Sequence, residues 1–384
     1  MTKLKIITIL GTRPEIIRLS RVTDRLDEYC DHKIIHTGQN WDYSLNEVFF
    51  SDLGLRKPDY FLGAGGGTLG ETLGTILHET EKVLMKACPD AVLILGDTNS
   101  AISAIIARRL KIPVYHMEAG NRSFDRNVPE ETNRKLVDHI ADFNLVYTEH
   151  ARRHLLSEGI DHQRIYLTGS PMQEVLEYYK PNIQSSDVVS RLGLSNREYF
   201  TVSLHREENV DNSQRLASLT NTLNAIAEKY DMPVIVSTHP RTRNRLSKLK
   251  GQKLDSRVQW MEPFGFHDYN NLQMNAKCTI SDSGTIAEES SILGFPAITP
   301  RDAIERPEAI DVGCIIMTGV ETKDTLMCIE AVIRIFSERE ELGSTNPIPR
   351  DYTIRNTSER VVSLILGTAK LSNQWAGIRF NDLG

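Results

Sequence analysis

The sequence predicts an α/β protein with two doubly wound parallel sheets, on the strength of its length, its strand pattern and one polar break. The 384 residues exceed the ~250–300 at which a single hydrophobic core usually stops growing. Short apolar, β-branched runs recur between helix-length amphipathic segments. In the first half they fall at residues 4–10, 33–38, 91–97, 113–118, 144–149 and 164–169; in the second, at 199–205, 233–239, 258–262, 276–283, 296–301 and 314–319. These runs are apolar throughout rather than alternating, as expected of parallel strands covered on both faces. Two sets of six such runs predict two sheets, each layered with helices. The break falls in the polar stretch Tyr179-Lys-Pro-Asn-Ile-Gln-Ser-Ser186. It sets domains at 1–178 and 179–365, with a tail at 366–384 expected to pack back on the first.

Composition narrows the function. Hydrophobic residues make up 40% and charged residues 25%, with a net charge of -6. An acidic balance of this size leaves no basic footprint for nucleic acid. The apolar runs are far shorter than the ~20 residues that span a bilayer, so no membrane insertion is expected. Met1-Thr-Lys-Leu-Lys5 leads straight into the first run with no small-residue cleavage site, which argues against a signal peptide and for a cytoplasmic protein. The five cysteines (Cys30, Cys88, Cys278, Cys314 and Cys328) are scattered, with no C-x-x-C pair. Buried thiols are expected, rather than a disulfide framework or a zinc site.

In open parallel sheets, ligands bind beyond the carboxyl ends of the strands. Here those ends read Gly11-Thr-Arg-Pro-Glu15, Gly96-Asp-Thr-Asn-Ser100, Glu118-Ala-Gly120, His205-Arg-Glu-Glu-Asn209, His239-Pro-Arg241 and Asp282-Ser-Gly-Thr285. Any one of them reads as a helix cap. Together they carry more His, Arg and Glu than caps require, which points to an active site. Thr12 to Glu15 fits a capping box; the same helix start, with Arg13, equally suits a phosphate. Ser283, Gly284 and Thr285 open a helix and could present amides and hydroxyls to a diphosphate, with Glu289 toward ribose hydroxyls. Taken alone, that stretch is more readily a cap followed by a solvated acidic turn.

Asp97 and Glu118 end successive strands, and Glu130 enters at the start of a helix over 130–140. Grouped carboxylates shift one another's pKa and suit general acid–base work. Glu131, Asp125 and Asp138 read instead as solvent-facing, capping or surface-pair residues. His205, beside Arg206, is expected to be catalytic or to face phosphate; His116 reads as structural. Gly65-Gly-Gly-Thr-Leu-Gly70 matches G-x-G-x-x-G but does not follow the first strand and lacks the downstream acidic residue. It reads as a loop beside the site. Nothing resembles a metal-ligand spacing, and no cofactor is called for.

Taken together, GTRPE (11–15), GDT (96–98), EAG (118–120), PEE-x-NR (129–134), the HR of SLHREEN (205–206), DSG-x-I-x-EE (282–289) and ERPEA (305–309) resemble the non-hydrolysing UDP-N-acetylglucosamine 2-epimerase family, along essentially the whole chain. The resemblance implies two Rossmann-like domains in a GT-B-like arrangement with a central cleft, a UDP-sugar substrate and a homodimer. It implies Asp97, Glu118, Glu130 and His205 as the catalytic group and places Arg13, Ser283, Gly284 and Glu289 at UDP-contacting positions. Arg18, Asn133, Arg134, Arg206, His239, Thr285 and Arg306 complete the candidate substrate-binding set.

Three departures from the common family pattern bear on the substrate. Arg18 stands where lysine is usual, Glu118-Ala-Gly-Asn-Arg-Ser123 replaces EAGLRT, and Thr168-Gly-Ser-Pro-Met172 replaces a TGN motif. They are similar to the subgroup that makes UDP-N-acetyl-L-fucosamine from UDP-2-acetamido-2,6-dideoxy-L-talose for capsule or O-antigen synthesis. UDP-N-acetylglucosamine is the alternative substrate. A GT-B glycosyltransferase would share the fold but needs an acceptor, and a nucleotide-sugar sensor would not need so dense a set of carboxylates.

Overall fold

The computed structural model describes residues 3–38, 50, 52–125, 127–238, 240–246, 254–344 and 346–378, without the side chains of Glu207, Pro240 and Arg241. The chain divides into two compact units, Met1–Val175 with Arg350–Gly384, and Leu176–Pro349. Each is a parallel sheet carrying helices, as the uninterrupted apolar runs predict.

In the first unit the described strands are β1 (Lys5–Leu10), β2 (Asp31–His36), β3 (Tyr60–Phe61), β4 (Ala91–Leu95), β5 (Val114–Ala119), β6 (Phe143–Val146) and β7 (Ile165–Leu167). They run parallel in the order β3-β2-β1-β4-β5-β6-β7. The edge strand β3 escapes sequence reading because two residues, one half-buried and one exposed, make no apolar run. All five residues of β4 are buried, and each large aliphatic removed from water there contributes ~1.5–3 kcal/mol. The strand order reverses between β1 and β4, which makes their carboxyl ends the topological switch point. Gly11 and Gly96 sit at those ends.

The second unit holds β8 (Phe200–Ser203), β9 (Val234–Ser237), β10 (Val258–Met261), β11 (Cys278–Ser281), β12 (Ala297–Thr299) and β13 (Ile316–Met317). Their order, β10-β9-β8-β11-β12-β13, reverses between β8 and β11. These two pair in parallel with Ser203 opposite Ser281, so the residues that follow them, His205 and Asp282, emerge side by side.

The division of the chain differs from the expected 1–178, 179–365 and 366–384. The helix Met172–Gln184 continues through Pro181, so the polar stretch 179–186 is mostly helix rather than a break. Residues 350–365, with the end of the helix that follows, belong with the first unit, where side-chain hydrogen bonds hold them. Asp351 accepts from the Glu149 amide at 2.9 Å. The Thr357 hydroxyl donates to the Thr168 and Ser170 carbonyls at 3.2 Å. The Ser358 amide donates to Glu174 at 2.8 Å, and Thr368 meets the Tyr115 hydroxyl at 2.6 Å. The helix Thr357–Thr368 lies against Arg13–Tyr29, an attachment between chain ends that no local pattern encodes.

Two smaller expectations are corrected. Thr68, within the glycine-rich stretch, caps the helix Leu69–Ala87 and pairs reciprocally with Glu71, so the stretch is a helix start as well as a loop. Cys88 is exposed, while Cys30, Cys278 and Cys314 are buried. Among the described residues no helix is long and apolar enough to cross a membrane.

Candidate active site

The switch point of the first unit is tied together from below. The Glu15 carboxylate accepts from the amides of Gly11 at 2.5 Å and Thr12 at 2.9 Å, and from the Thr98 hydroxyl at 2.5 Å. It thereby joins the turn after β1 to the turn after β4. Burial pushes this carboxyl up to about 7, against the pull of its three donors and with a further push from Asp97. Under the same turn the Thr37 and Ser100 hydroxyls meet at 2.8 Å, and a Cβ on Gly11 would overlap both oxygens. Glycine is required there for close approach.

Above this floor stand the expected carboxylates. Asp97 accepts from Arg134, at 3.0 Å for Nε and in a shorter contact with Nη2, and its backbone carbonyl accepts from Asn133 at 2.9 Å. Glu118 lies in the left-handed region, at φ 64°, where the pairing of β5 with β6 slips between Met117 and Ala119. A bulge of this kind re-aims one side chain, and a non-glycine residue held there is the sort of strain that accumulates at functional sites. The re-aimed carboxylate meets Arg18 through Oε2 in a short ion pair and accepts from Asn121 through Oε1 at 3.2 Å. The Arg18 guanidinium also lies over the Tyr147 ring, 5.8 Å from its centroid. Asp97 and Glu118 thus each face an arginine, rather than forming a bare group of like charges. Glu130 is half-buried in the first turn of the helix Pro129–Ile140, the helix that supplies Asn133 and Arg134. Arg13 is half-buried in the first turn of its own helix.

Behind the site lies a network that sequence reading assigned to the surface. Asp138, 1% exposed, accepts from the Gly120 amide at 3.1 Å and from Arg122 at 2.7 Å, and stands 2.9 Å from His116 Nδ1. Burial pushes its carboxyl up, but His116 and Arg122 hold it below the ordinary carboxylate range. Arg122 also forks onto Glu158 at 2.8 and 2.6 Å. Glu131 accepts from the Ser123 amide and hydroxyl, both at 3.0 Å. These acids fix the loop 121–123, and His116 is structural as expected, meeting the Gly96 carbonyl at 2.8 Å. The pairing could not be read from spacing, because Asp138 reaches His116 and Arg122 only once the helix lies against β5.

In the second unit the buried Asp282 accepts from the His205 and Arg206 amides at 3.0 and 3.1 Å and from the Asn209 side chain at 3.0 Å. Arg206 Nη2 lies over Gly284, 3.3 Å from where a Cβ would sit. Ser283 and Thr285 join hydroxyls at 2.9 Å ahead of the helix Ile286–Leu293. Glu289 is nearly buried and accepts from Gln273 at 3.0 Å. The structure therefore brings Arg206, Ser283, Gly284 and Thr285 to one turn and places Glu289 one helical turn further on. Arg306, expected to face a ligand, is 2% exposed, with Nη2 3.3 Å from the buried Glu288. His239 lies outside the described residues. Among those residues no three His, Cys, Asp or Glu side chains converge as a metal site.

Two open parallel sheets with polar clusters at their switch points, paired acids and bases in one and a hydroxyl-lined helix start in the other, define an α/β enzyme of the nucleotide-binding kind. The UDP-N-acetylglucosamine 2-epimerase family model matches residues 24–366. The chain is similar to the UDP-N-acetylglucosamine 2-epimerase of Rickettsia bellii, at 43% identity with 97% and 98% of the two chains covered and a TM-score of 0.89. The Methanocaldococcus jannaschii UDP-GlcNAc 2-epimerase, solved in complex with UDP-GlcNAc and UDP, is 37% identical with 95% and 100% covered and a TM-score of 0.86. The UDP-2,3-diacetamido-2,3-dideoxy-D-glucuronate 2-epimerase of Pseudomonas aeruginosa is 37% identical over 89% of this chain and 93% of its own. The chain belongs to the UDP-N-acetylglucosamine 2-epimerase family and is an isomerase, an epimerase of UDP-sugars.

Proposed function

We propose that the enzyme inverts C2 of UDP-2-acetamido-2,6-dideoxy-L-talose to give UDP-N-acetyl-L-fucosamine, in the cytoplasm, as a homodimer, for capsule or O-antigen synthesis. A base removes the C2 proton as the C1–O bond to UDP breaks, leaving a glycal-like intermediate. UDP and a proton then add back, the proton on the opposite face. Asp97, Glu118 and Glu130 serve proton transfer. Arg13, Arg206, Ser283 and Gly284 stabilise the departing diphosphate, His205 takes part in proton transfer, and Glu289 holds the ribose. Arg18, Asn133, Arg134 and Thr285 complete the substrate contacts, and elimination followed by re-addition calls for neither a metal nor a redox cofactor.

One observation carries the choice of substrate. Two of the positions at which this chain departs from the common family pattern, Arg18 and Asn121, converge on the two carboxylate oxygens of Glu118. Arginine and lysine are not equivalent partners for a carboxylate, so the departures act on a proposed catalytic base rather than at the periphery. Arg122 and Ser123 are anchored inward and do not share this convergence.

The test is incubation of each UDP-sugar alone in heavy water. Deuterium should enter C2 of the 6-deoxy-L-talo sugar, with slower incorporation into UDP-N-acetylglucosamine. A pocket that merely tolerates an added hydroxyl discriminates by only ~10²-fold. Equal or greater kcat/KM for UDP-N-acetylglucosamine would assign the enzyme to that substrate instead, and a requirement for an acceptor would make it a glycosyltransferase.

A further inference from the structure

We propose that Asp282 is a positioning residue for His205, holding its neutral ring in the tautomer with the proton on Nδ1 and offering Nε2 to the substrate. The reversal of strand order between β8 and β11 brings the two residues together. Asp282 Oδ1 stands 3.0 Å from His205 Nδ1, and the His205 side chain is 38% exposed against 0% for Asp282. Nδ1 is shielded from solvent and meets no aligned hydrogen-bond acceptor among the described residues; the carboxylate 3.0 Å away is the charged group beside it. The exposed part of the ring is then free to present Nε2.

The carboxylate is itself held in place. The His205 and Arg206 amides and the Asn209 side chain donate to it, and Asn209 is fixed in turn by Arg215, whose Nη2 donates to its carbonyl oxygen at 3.0 Å. Burial alone would push the Asp282 carboxyl up, but His205, Asn209 and the backbone hold it at about 2. The three N–H donors favour the anionic form of this carboxyl behind the ring. An anion at Nδ1 both selects the tautomer and balances the imidazolium that forms when Nε2 takes a proton. Asparagine at 282 could keep the three N–H contacts through its carbonyl oxygen while losing the charge.

This inference rests on the proposed role of His205 in the reaction, and the experiment separates the two. Two-bond nitrogen–proton correlation spectra of the ¹⁵N-histidine-labelled enzyme, with His205→Gln to assign the signal, report the tautomer at alkaline pH. We expect Nδ1–H in the native enzyme and a shift toward Nε2–H in Asp282→Asn. That variant should lose on the order of 10²–10⁴-fold in kcat, with UDP affinity by calorimetry changed less than tenfold. A native His205 protonated mainly on Nε2, or an unchanged tautomer in the variant, overturns the proposal. If Asp282→Asn does not fold, the native spectrum alone decides. An unaltered kcat in His205→Gln would overturn the catalytic reading of His205 and, with it, the role assigned to Asp282 in the reaction.

Discussion

Replacing Glu15 by glutamine should make the protein more stable above neutral pH. The carboxyl rises from its ordinary value of 4.5 to about 7, chiefly through burial. A carboxyl whose pKa rises on folding is tolerated best when protonated. The penalty is absent below 4.5, grows through the interval and is complete above about 7, so this group makes stability fall as pH rises. Linkage over that shift costs about 3 kcal/mol at pH 8 and about 1 kcal/mol at pH 5, a difference of about 2–3 kcal/mol. Glutamine can keep all three contacts. Its carbonyl oxygen accepts from the Gly11 and Thr12 amides, which share one oxygen of Glu15, and its amide donates to the Thr98 hydroxyl. Urea unfolding of both proteins at pH 5 and pH 8 isolates this term, because every other titrating group is common to both. The gap in stability, variant above native, should widen by about 2 kcal/mol between the two pH values. A gap that is the same at both would refute the desolvation argument.

Asp97→Asn, Glu118→Gln and Glu130→Gln should each lower kcat by ~10²–10⁴-fold while leaving UDP affinity by calorimetry nearly intact; losses under about tenfold in all three would move the chemistry elsewhere. Glu289→Ala and Arg13→Ala should weaken UDP binding by roughly 10–100-fold, the equivalent of a charge-assisted hydrogen bond worth ~1.5–3 kcal/mol, and unchanged titrations for both would remove the nucleotide site from these positions. Gly11→Ala should cost ~1–3 kcal/mol or more in urea unfolding, because its Cβ must displace the bonded Thr37 and Ser100 hydroxyls in a packed site. Arg18→Lys should shift the ratio of kcat/KM between the 6-deoxy-L-talo sugar and UDP-N-acetylglucosamine, and a fixed ratio would detach Arg18 from substrate choice.

The sequence alone determined what depends on local pattern. Buried parallel strands must be apolar on both faces, so β4 and its neighbours were legible as runs, and the turns after them as the places where polar residues gather. The reach of Glu15 back to the Thr12 amide and the pair of sheets followed from spacing. What depends on residues far apart in the chain was decided only by tertiary structure. Glu15 looks like an ordinary cap until Thr98 closes over it, and burial, not sequence, moves its pKa. Asp138 and Glu131 look like surface acids until the helix Pro129–Ile140 docks on β5 and the loop 121–123 wraps around them. Asp282 finds His205 because strand order reverses between β8 and β11. The bulge at Glu118, which turns its carboxylate toward Arg18 and Asn121, comes from a slip in register between strands, and no single strand records its neighbour's register.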